Sequence, residues 1–304
     1  MDILQITDIY KSFGSKKILD GVSFNVSENS IFGFIGKNGA GKTTTMKMIL
    51  GLLKPDSGNI LVNGEKVTFG QNKTNKYIGY LPDVPEFYGY MTPREYLMLC
   101  GQIVGLDNSV CKDRANELLS LVGLTEHNKK IRGFSRGMKQ RLGIAQALLA
   151  KPKLLICDEP TSALDPLGRK EILDILTSVK KDTTVLFSTH ILSDVEKICD
   201  NIAFLNQGKI TITGTIDEIK RNRCSEGFEI EVSNENEADS IAKRFDGSKR
   251  KTRNTLLYEN KPDEMLMELM KYLTDQGIVP LKIEKLEPTL EDLFIETVGG
   301  EELR

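Results

Sequence analysis

The sequence predicts an α/β chain in two parts, a larger core built on a parallel sheet and a smaller α/β module after it. Three observations carry that expectation. A glycine-rich loop, "GKNGAGKTT" at Gly36 to Thr44, stands between a short apolar strand and a helical pattern. A continuous apolar stretch, "KLLICDEP", ends in two adjacent carboxylates, Asp158 and Glu159; strands read this way when a parallel sheet is covered on both faces. Past a polar break near residue 222, the order strand, helix, strand, strand, helix, strand begins afresh.

The totals agree with two domains, since 304 residues is at the upper limit for one core. We place them at 1–222 and 223–304, with a helical insert at about 88–150 in the first. Lys+Arg 41 against Asp+Glu 43 leaves a net charge of -2 and no basic field for nucleic acid. The five cysteines are scattered with no CxxC pair, which reads as reduced thiols in a cytosolic compartment and offers no zinc site. "MDILQITDIYKSFG" lacks the apolar core of a signal peptide, and no apolar run approaches the roughly 18 residues of a spanning helix. Direct membrane insertion is therefore not expected.

Taken in order, "ILQITDIY" and "VSFNV" alternate as strands about the turn "FGSKK". "SIFGFIG" is a buried strand, "KTTTMKMILGLL" a helix, and "GNILVNGEKV" a strand with an Asn63-Gly64 hairpin turn. "TPREYLMLCGQIVGL" opens with Thr92 as N-cap, Pro93 at the first helical position and Glu95 closing a capping box. Helical patterning continues through "CKDRANELLSLVGL" and "GFSRGMKQR" into "LGIAQALLA". "DPLGRKEILDILTSV" is a helix capped by Asp165, and "TTVLFSTH", "SDVEKICD" and "NIAFLNQGKI" give strand, helix and strand. In the second part "FEIEV", "NEADSIAKRF", a weak strand near Lys249 to Lys251, "NTLLYEN", "DEMLMELMKYL" and "PLKIEKL" suit a ferredoxin-like module, followed by a final helix "TLEDLFIET".

The loop matches G-x-x-x-x-G-K-[ST]. Successive N–H groups from Lys37 through Asn38, Gly39, Ala40, Gly41 and Lys42 to Thr43 can wrap phosphate oxygens, and the helix start through Thr44 adds its positive dipole end. Gly36 and its fellow glycines let the backbone approach. Lys42 reaches for the β- and γ-phosphates, and the Thr43 hydroxyl takes a Mg²⁺ position with Asp158 as its partner. Glu159 then faces the γ-phosphate, placed to orient or deprotonate water.

Phe13, the phosphate loop, "FSRGM", "LLICDEP", "SALD" (162–165) and "STH" ending in His190 stand in the order of an ABC transporter ATPase subunit, which residues 1–220 resemble. "SRGMKQRLGIAQALL" and the final "LEDLF" resemble bacterial exporter ATPases of the bacitracin and lantibiotic self-protection type, whose membrane subunits are separate chains. The resemblance implies a P-loop NTPase fold that binds ATP and Mg²⁺, hydrolyses ATP and lies on the cytoplasmic face of the membrane. Its partners are then a second copy of the chain and a transmembrane permease. It also implies that Phe13 stacks on adenine, with Tyr10 a nearby alternative, and that His190 contacts the γ-phosphate. Asp165 belongs to the loop that crosses the dimer interface. Two subunits face head to tail, so Ser135 and the Gly137 N–H would bind the γ-phosphate held by the partner's loop.

Two departures from the family pattern stand out. Arg136 occupies a glycine position, where it either points away from the interface or adds charge to the phosphates, and the first is expected; Asp83 occupies the position of a hinge glutamine. Asp83 either joins the metal and catalytic set or, being short, repels the γ-phosphate, and its length favours repulsion. Along "LPDVPEFYGYMTPREY" the resemblance places a groove for a short transporter helix, with Phe87, Tyr88 and Tyr90 as anchors. Rival readings are an ATP-gated switch that barely hydrolyses and a soluble ABC ATPase acting on DNA or ribosomes. Glu159 opposes the first while Asp83 leaves it open, and a single nucleotide domain without a basic stripe opposes the second. The C-terminal module is expected to tune dimerisation, the alternative being that the apolar stripe of "DEMLMELMKYL" only packs the module's own core.

Overall fold

Alternating apolar residues build the first hairpin of the computed structural model, β1 (Asp2–Phe13) and β2 (Lys16–Ser27), whose Leu4, Ile6, Ile9, Val22 and Val26 are buried. The structure describes residues 1–71, 73–125, 129–222, 227–259, 261–286 and 290–291. β3 (Ile31–Ile35) is buried along its whole length, and the glycine loop leads from it into α1 (Lys42–Ile49). That helix is shorter than predicted because Gly51, at φ 69°, turns the chain out of it. β4 (Ser57–Val62) and β5 (Glu65–Lys66) form the expected hairpin, with Asn63 and Gly64 both at positive φ (50° and 75°). These strands form an antiparallel sheet in the order β2-β1-β4-β5.

β6 (Ile78–Leu81) was not assigned from sequence and is an edge of the main sheet. The insert follows as α2 (Pro93–Ile103), α3 (Asn108–Leu121) and α4 (Arg136–Leu148). Its capping box is complete: the Glu95 N–H donates to Thr92 Oγ1 at 3.3 Å and the Thr92 N–H to Glu95 Oε2 at 2.7 Å. Then come β7 (Leu154–Asp158), α5 (Pro166–Val179), β8 (Thr184–Thr189), α6 (Leu192–Ile198) and β9 (Asn201–Asn206).

Two sequence expectations need correction here. Asp165 occupies the N-cap position of α5, but its carboxylate makes no cap hydrogen bond; its carbonyl accepts the Arg169 N–H at 2.9 Å. "NIAFLNQGKI" is not one strand, because Gln207 and Gly208 (φ 45° and 79°) turn the chain back into β10 (Lys209–Thr215). The main sheet runs β10-β9-β3-β8-β7-β6, parallel from β9 to β6 with β10 antiparallel at the other edge. β6 presses directly on α4: a Cβ on Gly79 would stand 2.2 Å from the Ala147 carbonyl oxygen. Ligands of such sheets sit at the carboxyl ends of the strands, which is where the glycine loop and both carboxylates emerge.

The chain divides into two compact units, Met1–Ile216 and Asp217–Arg304. The division falls ahead of the polar break near residue 222, at the start of α7 (Ile216–Asn222), another element unassigned from sequence. The second unit continues with β11 (Gly227–Glu231), α8 (Glu235–Arg244), β12 (Lys249–Thr252), β13 (Thr255–Glu259), α9 (Asp263–Asp275) and β14 (Lys282–Lys285). Its strands are antiparallel in the order β12-β13-β11-β14, the ferredoxin-like arrangement. Phe228, Ile230, Ile241, Leu256, Tyr258 and Leu269 form its core. Of the final helix expected at "TLEDLFIET", all but Leu290 and Glu291 lies outside the described residues.

Candidate nucleotide-binding site

The cradle is shaped by where side chains do not fit. A Cβ on Gly36 would come 2.5 Å from the Leu205 carbonyl oxygen, and one on Gly41 (φ 113°) would come 2.7 Å from Leu19 Cδ2. Gly39, at φ 83°, has open space instead, leaving the loop clear for a ligand. α1 has no side-chain cap, so its first-turn N–H groups are left for an anion. Lys42 is buried and folds back over the loop. Its Nζ donates to the Gly36 carbonyl at 2.6 Å and the Lys37 carbonyl at 3.3 Å, and lies 3.1 Å from Glu159 Oε1.

The carboxylates are held from two sides. Asp158 is 3% exposed; Thr43 Oγ1 donates to its Oδ2 at 2.8 Å and Ser188 Oγ to its Oδ1 at 2.7 Å. The part played by Ser188 was not read from the sequence, although a hydroxyl inside the apolar strand "TVLFST" was its signal. Glu159 has φ 48°, a left-handed conformation that costs a residue with a Cβ about 1–2 kcal/mol. That backbone turns its side chain into the cleft, where Oε2 lies 2.8 Å from His190 Nδ1.

Together these residues bound an open cleft of about 490 Å³. Asn38, Gly39, Gly41, Lys42, Thr43 and Thr44 line it from the loop, and Asp83, Asp158, Glu159 and His190 from the strand ends. Lys16, Ile18 and Ser162 also line it; Ser162 opens the "SALD" motif without having been given a role of its own, and Lys16 and Ile18 lie in an alternating hairpin that carries no motif. Gly36, Lys37 and Ala40 support the loop without lining the cleft. Phe13 pairs across the hairpin with Lys16 and is 52% exposed, so it is a surface aromatic beside the cleft rather than a core residue.

Ser135, Gly137 and Asp165 do not line this cleft. Ser135 is the N-cap of α4, its Oγ accepting the Met138 N–H at 3.2 Å. A Cβ on Gly137 would meet nothing nearer than Leu164 Cδ2, at 3.9 Å. Asp83 follows β6. Its Oδ1 lies 3.3 Å from Arg136 Nη2, and its carbonyl accepts from Gln140 Nε2 at 2.7 Å. Burial holds the Asp83 carboxyl above the usual range; Asp158 and Glu159 push the same way, against Arg136 and His190. Burial, with Asp158 and Asp83 nearby, also pushes the Tyr80 hydroxyl up to about 12.

A phosphate loop after one parallel strand, with a threonine bonded to an aspartate on a nearby one, defines a P-loop nucleotide hydrolase. Residues 19–162 match the family described as ABC transporter, and residues 214–298 the family described as ATP-binding protein DrrA1-3-like, C-terminal domain. The chain is 40% identical over 306 residues to the uncharacterized ABC transporter ATP-binding protein YxlF of Bacillus subtilis (strain 168), covering 97% of this chain and 99% of that one. It is 39% identical over 311 residues to the bacitracin transport ATP-binding protein BcrA of Bacillus licheniformis, with 98% of each covered. The linearmycin resistance ATP-binding protein LnrL of B. subtilis (strain 168) is 36% identical over 313 residues, again with 98% of each covered. A solved ATP-binding subunit of an ABC transporter superposes with TM-score 0.66 at 35% identity, over 72% of this chain and 92% of that one. The chain belongs to the ABC transporter ATP-binding proteins, and it is the subunit that binds and hydrolyses ATP. Among the described residues no helix is long and apolar enough to cross a membrane.

Proposed function

We propose that two copies of the chain meet head to tail, close two Mg-ATP between them and drive a separate, exporting transmembrane subunit from the cytoplasmic face. One observation carries this reading. Ser135 and Gly137 head α4 outside the cleft that Lys42, Asp158 and Glu159 line, and Gly137 is open to approach. Such a helix start can complete a site only if another copy brings the nucleotide to it. The bacitracin and linearmycin relatives support the exporting direction.

Thr43 Oγ1 and Asp158 Oδ2, hard oxygens 2.8 Å apart beside the loop, suit Mg²⁺ and would hold it. Bound there, Mg²⁺ would neutralise charge on the β- and γ-phosphates. Lys42 exchanges its carbonyl and Glu159 contacts for phosphate oxygens. Glu159 Oε1, faced by Lys42 Nζ at 3.1 Å, is released by that exchange to accept a proton from the attacking water. His190 holds the other carboxylate oxygen and keeps the base aimed. Phe13, beside Lys16, meets adenine, and Asp165 crosses to the partner. Tyr88 and Tyr90, 54% and 67% exposed with ring centroids 5.9 Å apart, form the docking patch for the transmembrane subunit, with Phe87 set edge-on to Tyr96 behind them. Met267 and Met270 on α9, exposed while Leu266, Leu269 and Leu273 pack inward, support a dimer-tuning role for the second unit.

Mixing two inactive variants tests the arrangement. Ser135→Arg and Lys42→Ala should each lack turnover alone, and a mixture should recover it through one intact composite site. If mixing restores nothing while both proteins fold and associate, each subunit must complete its own site.

A further inference from the structure

Asp83 and Arg136 are 53 residues apart in sequence and 3.3 Å apart in space. Two contacts of different character tie the loop after β6 to the first turns of α4. Gln140 is fully buried and donates to the Asp83 carbonyl at 2.7 Å, a fixed anchor. The Arg136–Asp83 ion pair is 44% and 48% exposed, and a pair in that position contributes little to stability. It can be exchanged cheaply. Asp83 also lines the cleft beside Asp158 and Glu159, whose negative charges oppose its own. Arg136 stands between Ser135 and Gly137, and a guanidinium carries five N–H donors in a fork suited to phosphate.

We propose that Arg136 exchanges the Asp83 carboxylate of its own subunit for the γ-phosphate of the nucleotide held by the partner. In the open subunit the pair draws Asp83 toward α4. When the partner-held nucleotide docks at Ser135, Arg136 turns to it and leaves Asp83 facing the carboxylates and phosphates of its own cleft. Closing one site therefore alters the charge of the other. This inference rests on the head-to-tail reading above, and it explains why a charge of each sign stands at these two positions. Neither side chain is needed for the fold, since both are half-exposed and Gln140 independently anchors the loop.

The test is a double-mutant cycle on ATP-driven dimerisation, followed by sedimentation in a Glu159→Gln background that stops turnover. Asp83→Asn frees Arg136 for phosphate, so the ATP concentration at half-dimerisation should fall about three- to tenfold. In an Arg136→Gln background the same Asp83→Asn change should shift the midpoint by clearly less. Arg136→Lys, which keeps the charge, should restore most of the coupling. Equal shifts in both backgrounds, or no effect of Arg136→Gln on dimerisation, would overturn the exchange while leaving the dimer reading intact. A Glu159→Gln chain that binds ATP yet stays monomeric at saturation would overturn the dimer reading and this inference with it.

Discussion

In the first unit the buried side chains of Lys42, Asp158 and Ser188 gather at one cleft; in the second, charges pair outside an apolar core. Lys42, Asp158 and Ser188 are 6%, 3% and 0% exposed, and each is held by a partner in the same site. The second unit sets Lys249 against Glu259, Arg250 against Asp239 and Lys285 against Asp263 at its surface, around Phe228, Tyr258 and Leu269. Its buried exception, Glu229, is answered by Lys251 at 2.6 Å. A polar group removed from water is costly unless it is bonded, so a cluster of them marks chemistry, whereas half-exposed pairs mark a solvated surface. The contrast places the buried, bonded groups of the nucleotide cleft in the first unit.

The sharpest attempt to break that contrast is Glu159→Gln. It preserves the side-chain shape and removes the base, so turnover should fall by about 10²–10⁴ while nucleotide binding persists. Phosphate release and binding of a fluorescent ATP analogue measure the two separately. Wild-type turnover in this variant would move the chemistry away from the cleft.

Leu269→Ala probes the other side. Leu269 is 0% exposed in the second unit's core, and its truncation should cost that unit about 2–5 kcal/mol in urea unfolding. ATP affinity should not change. A fall in affinity in the folded variant would show that the two units share the work of nucleotide binding.

The smallest expected effect is on pH dependence. Burial raises the Asp83 pKa above its ordinary 3.8, so the folded chain holds this proton more tightly than the unfolded one. Its contribution to stability is fully present below 3.8 and is lost as pH rises through the folded value. Asp83→Asn should abolish that decline, visible as a flatter urea midpoint as the pH is raised from 3.8. An unchanged slope would place Asp83 in a more watery setting than the carboxylates beside it.

The cradle and the Asp158–Glu159 pair were legible in the sequence because each leaves a local signature. Gly36 and Gly41 stand where a Cβ would collide, and β7 is apolar because both of its faces are buried along its whole length. The Asn63-Gly64 hairpin was legible for the same reason, whereas Gln207-Gly208 makes a similar turn without the usual asparagine. β6 was missed because four residues containing Gly79 show too little alternation, and what holds them is the close approach of α4. The partnership of Asp83 with Arg136 had no local signature at all. It joins a loop to a helix start across the insert, and only packing brings such residues together.

Glu159 stands where glycine would sit with less strain, at φ 48°. The direction of its carboxylate is therefore set by the path of the main chain before any rotamer is chosen, and a replacement that keeps the path inherits the aim. Glycine at this position would relieve the backbone and remove the proposed base in a single step, so the same φ that aims the carboxylate also makes its loss easy to accommodate.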